Sequence, residues 1–155
     1  MAVLSFDGCV NLAVRIVTEQ YPDAKLCEVT GNASGGLTTD PVEIDRLQVV
    51  FSNRDNTTVI INETKRGEFG KPHLIDQPWL ENVAIQWPIK MRLEQANKLK
   101  EQAGYKHPYN TVTLRNPLGL TLSNPCFIFG GNPDAPYILV DTVAGKIHTV
   151  GYKTV

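Results

Sequence analysis

The chain has 155 residues, enough for one domain with a sizeable core. Apolar residues make up 42% and charged residues 20%, which excludes a disordered chain, and no window approaches the ~18 apolar residues of a membrane span. Fifteen basic against sixteen acidic side chains leave a formal charge of −1, so neither nucleic acid nor a membrane is an expected partner through bulk charge; only a local basic patch would change that.

The opening Met1 to Asp7 has no basic n-region and no apolar stretch of signal-peptide length. A soluble, cytoplasmic protein is expected, unless Met1 opens the mature form of a secreted chain. Val10, Ala13, Val14, Val17 and Tyr21 recur at helical spacing and predict an amphipathic helix of about three to four turns. Asp7 is the expected N-cap, and Tyr21-Pro22-Asp23 ends the helix because a residue before proline avoids helical dihedrals. Lys25 to Thr30 reads as a strand and Gly31 to Gly36 as a flexible turn. Arg46 to Ser52 and Thr57 to Glu63, rich in Val, Ile and Thr, read as a hairpin.

From Lys65 to Pro88, glycines and prolines break the pattern, and this stretch is expected to be a connecting arm. Ile89, Leu93, Ala96, Leu99 and Ala103 then form the clearest helical stripe. Pro88 sits at the first turn and Gly104 at C′, with Lys90, Arg92, Glu94, Lys98, Lys100 and Glu101 on the remaining faces. Four strands follow, at Thr111 to Arg115, Cys126 to Gly130, Tyr137 to Thr142 and Lys146 to Tyr152, the last two joined by Val143-Ala144-Gly145. Both halves read helix, strand, strand, strand in that order, the second with one strand more. The expected fold class is α+β, with tandem helix-plus-antiparallel-sheet repeats at 1–64 and 89–155 and the arm at 65–88.

The stretch Tyr137 to Ile147, a strand, an Asp, a small turn ending in Gly and another strand, resembles the PepSY-type repeat. Tyr21 to Val29 is similar to that family's passage from helix to first strand; the first half departs from it at Asn62, near the expected Asp, and in extra residues before Gly67. The resemblance implies a helix packed on a curved, cystatin-like antiparallel sheet, twice over. It also implies a generally non-enzymatic protein associated with peptidase inhibition or with binding and sensing at the cell periphery.

The chemistry-bearing residues form no known signature. Cys9, Cys27 and Cys126 lie at unpatterned positions without a CxxC, which reads as small buried hydrophobes; neither a metal nor a cofactor is expected. Cys9 near a helix start has a dipole-activated thiol as its alternative reading. His73, His107 and His148 lack metal-type partners at helical spacing. No nucleophile elbow, Walker loop, dinucleotide fingerprint or HExxH occurs. The sequons at Asn32, Asn56 and Asn62 bear on the protein only if it is exported by a eukaryote.

Trp79 and Trp87, both in the arm, are the candidate partner-binding residues; the alternative is that they staple the arm to the core. The leading expectation is a non-enzymatic binding protein with a protein or peptide partner. The rival is a small apolar ligand, or an enzyme pocket between helix and curved sheet, with His107, Asp141 and His148 as the residues that would converge there. A third reading is a homodimer joined edge to edge through exposed strands.

Overall fold

A computed structural model describes residues 5–79, 83–117 and 124–151. Helix α1 (Phe6–Gln20) is followed by strands β1 (Lys25–Ala33), β2 (Ile44–Asn53), β3 (Thr57–Lys65), β4 (Glu68–Phe69) and β5 (His73–Ile75). Helix α2 (Leu93–Gln102) precedes β6 (Thr111–Arg115), β7 (Cys126–Gly130), β8 (Tyr137–Asp141) and β9 (Ile147–Val150). The described pairings are all antiparallel and form one sheet in the order β4-β3-β2-β1-β6-β7-β8-β9, with β5 also on β3.

This corrects the expectation of tandem, cystatin-like or PepSY-like repeats. The fold is dominated by a single nine-stranded sheet among the described residues, with helices of only 15 and 10 residues. The joint is the β1–β6 pair, running from Glu28↔Arg115 to Asn32↔Thr111. A three-stranded meander on its own would leave these backbone groups unpaired at an edge; pairing the halves removes two edges at once. The arm is also more regular than expected, because β4 and β5 continue the sheet beyond β3. Tyr152, assigned from sequence to the last strand, lies outside the described residues.

The helices lie on one face. Val10, Ala13 and Val17 of α1 are fully buried, and α1 packs on β2 and β3. Leu93 and Ala96 of α2 are buried as well, with α2 against β8. Phe6 meets Phe127 edge-on at 5.9 Å between ring centres, tying the start of α1 to β7.

Local chemistry moves several boundaries. Ser5, not Asp7, caps α1, its hydroxyl accepting from the Gly8 amide at 3.1 Å. Asp7 instead reaches across to α2, accepting from the Leu93 amide at 3.3 Å. The Arg92 amide donates to Gln95 Oε1 at 2.9 Å, so α2 starts where two acceptors satisfy its first amides, and Ile89 falls before it. At the other end, Gly104 (φ 96°) donates to Glu101 and Tyr105 donates to Lys100, a Schellman closure.

Gly31 is not part of a flexible turn: β1 continues to Ala33, and a Cβ at Gly31 would lie 2.6 Å from both Ile44 and Leu47. The glycine is there to let β2 side chains pack against the strand.

Lys100 departs furthest from expectation. It is 2% exposed, its ammonium donates to the Tyr105 carbonyl at 2.9 Å, and it lies 5.2 Å from the Tyr109 and Phe129 ring centres. Burial lowers its pKa.

Candidate functional site

The sheet places alternate side chains on its second face, which neither helix covers. The registers set Thr30 opposite Thr113, Thr113 opposite Ile128, Ile128 opposite Leu139 and Leu139 opposite His148, one row across five strands. A parallel row runs Glu28, Arg115, Cys126 and Asp141. Part of this face is concave, an open trough of about 460 Å³ bounded by Glu28, Thr30, Thr111, Arg115, Ile128, Tyr137, Leu139 and Val150.

Three contacts shape this trough. Thr30 and Thr113 hydroxyls lie 3.3 Å apart. Arg115 and Glu28 form an ion pair at 3.6 Å, with side chains 33% and 12% exposed. The Tyr137 ring lies against Gly130, where a Cβ would be 2.4 Å from it, so the missing side chain makes room for the ring. Tyr137 is 41% exposed there.

The candidates His107, Asp141 and His148 do not converge. His148 is half-buried on the open face, close enough for its charge to favour the Asp141 carboxylate. Asp141, however, is occupied within the chain. Its Oδ1 accepts from the Val143 and Ala144 amides at 2.8 and 2.9 Å, and Asn124 donates to both carboxylate oxygens. Burial pushes its pKa up, but those bonds and His148 outweigh it, and the group stays below its ordinary 3.8. The carboxylate thus caps the β8–β9 turn. His107 is exposed at the opposite end of the sheet, beside Pro108 and the β7–β8 loop, which Asn132 ties to Pro108 at 2.9 Å. The length of β8, ~14 Å for five residues, separates it from Asp141.

Two small spaces lie beside the helices. One, of about 40 Å³, lies among Phe6, Asp7, Val42, Arg66 and Leu93; another, of about 10 Å³, lies beside Lys100, Tyr109 and Phe129. Cavities that accept a benzene-sized molecule are ~150 Å³.

Trp87 staples the arm to α1, its indole N–H donating to Asn11 Oδ1 at 2.8 Å, yet it remains half-buried. Nearby, the Ile85 amide donates to the Leu26 carbonyl at 2.7 Å, and Asn116 holds the Val83 and Ala84 carbonyls. Trp79 is half-buried and does not line the trough.

Sequence reasoning missed Tyr137 and Arg115, because each looks like an ordinary strand residue until registry places them on one open face. The alternation of β6, Thr111-Val112-Thr113-Leu114-Arg115, was the available signal for a strand with one uncovered side.

The thiols offer no reactive centre. Cys9, Cys27 and Cys126 are free and buried. Burial, aided by Glu63, pushes Cys9 up to about 12; burial and Asp141 do the same for Cys126, and burial also raises Cys27. Native protein should therefore react with a thiol-specific disulfide reagent only as fast as it unfolds, with all three thiols titrating in denaturant. Adding reductant should leave the unfolding midpoint unchanged. Fast stoichiometric labelling of the folded chain would contradict this. Among the described residues no three His, Cys, Asp or Glu side chains gather as a metal site.

No protein-family model matches the chain. It is 26% identical over 152 aligned residues to "Probable polyketide synthase 34" of Dictyostelium discoideum, an alignment that takes in 79% of this chain and only 5% of that protein. Among solved structures it is similar to a "putative lipoprotein" from Clostridium difficile 630, with a TM-score of 0.58, 12% identity, and coverage of 96% of this chain and 95% of that one. At that identity the likeness is one of fold.

Proposed function

We propose that the protein acts by binding another protein on the sheet face that neither helix covers. The observation that carries this reading is the trough itself, where a seated, 41% exposed Tyr137 and the Arg115–Glu28 pair flank Ile128, Leu139 and Val150. Tyrosine and arginine around an apolar patch are the composition of interface hot spots, and a rigid sheet presents them at little ordering cost. The two spaces beside the helices, of about 40 and 10 Å³, are too small for the apolar ligand of the rival reading.

The test is affinity. The partner is purified from the native source on the immobilised chain, and its binding is compared by calorimetry with that of Tyr137→Ala and Thr113→Arg after circular dichroism shows that both fold. Tyr137→Ala should weaken binding by about 30-fold or more, the equivalent of a 2 kcal/mol hot spot, and Thr113→Arg should obstruct the trough. Unchanged affinity in both variants overturns the proposal.

A further inference from the structure

A second concavity lies along the seam between the arm and α2, and no residue lines both it and the trough. Its arm end, about 700 Å³, includes Trp87, Ile89, Lys90 and Val143; its helix end, about 510 Å³, includes Lys90, Lys98 and Leu99. Lys90 and Thr142 belong to both ends, so the two form one continuous groove.

Two features define what it would take. The first is an apolar strip: Trp87, Ile89 and Leu99 are only partly buried against the core, and Val143 is 72% exposed. The second is charge. Among the described residues no carboxylate lines the groove, whereas Lys90 and Lys98 do, and neither lysine is in an ion pair. In a chain with a net charge of −1, this is a local cationic surface laid along apolar side chains.

We infer that the groove docks an acidic, extended segment of a partner protein, with apolar side chains on the strip and carboxylates at Lys90 and Lys98. The groove is open along its length, which suits a chain passing over it rather than an enclosed small molecule. Electrostatic complementarity of this kind sets specificity and the salt dependence of the association.

A display library of random twelve-residue peptides selected on the full chain tests this. Recovered sequences should be enriched in Asp and Glu among apolar residues. Their synthetic versions should bind the double variant Lys90→Glu/Lys98→Glu about tenfold or more weakly, and raised salt should weaken wild-type binding. The double variant Lys71→Glu/Lys106→Glu carries the same net charge change away from the groove and should bind as wild type. Selection without acidic enrichment, or equal binding to both double variants, overturns the inference. So does binding of decanoate with no peptide recovered, which would make the groove a site for anionic amphiphiles.

Discussion

Leu93→Ala should lower the free energy of unfolding by about 2–5 kcal/mol, the usual range for emptying a leucine site in a packed core. Leu93 is 1% exposed and opens α2 at the point where Asp7 of α1 holds its amide, so the neighbouring helices can close little of the space left behind. Leu99→Ala should cost clearly less. That side chain is half-buried and already borders open groove, although sequence periodicity ranks the two equally. Urea melts with unchanged slope would report both values as stability changes. Equal losses in the two variants would mean that α2 packs on a different face.

Removing the Asp141 carboxylate has the second large effect. Asp141→Ala leaves the Val143 and Ala144 amides and the Asn124 side chain without their acceptor; the turn is exposed but the carboxylate that caps it is buried, and losing hydrogen bonds to a charged group costs about 1.5–3 kcal/mol. Asp141→Asn should be milder, because an amide oxygen can still accept from the turn. The pH dependence follows from the direction of the shift. The folded pKa is depressed below 3.8, so the unfolded chain binds the proton more readily. Stability from this group is therefore present above 3.8 and is lost as pH falls through the folded value. Between pH 4 and pH 2 the wild type should lose stability more steeply than Asp141→Asn; parallel curves would remove the carboxylate from the account.

Helix α2 shows how far sequence periodicity reaches. The stripe Ile89, Leu93, Ala96, Leu99, Ala103 identifies a helix, yet the buried positions are Leu93, Ala96, Asn97 and Lys100. These also have helical spacing, but two of them are polar, and hydrophobic patterning passes over them. Their burial depends on partners from elsewhere in the chain. Tyr109 donates its hydroxyl to Asn97 at 3.1 Å, and the Tyr109 and Phe129 rings flank the Lys100 ammonium. Asp7 behaves similarly: its place near a helix start marks it as a cap, but which helix it caps depends on how the two helices meet.

The open-face site follows the same division. Each strand of the second half, and the turn at Gly145 with its positive φ, is legible from alternation and turn residues, because those are local properties of the backbone. Local patterning likewise determines the α1 stripe and the β2–β3 hairpin. Whether two meanders close separately or join is a contest between alternative pairings of similar backbone groups, and no short stretch of residues encodes its outcome. Tertiary structure alone decided that β1 pairs with β6. That single pairing made one sheet instead of two repeats, brought Arg115 beside Glu28 and formed the trough bordered by Tyr137.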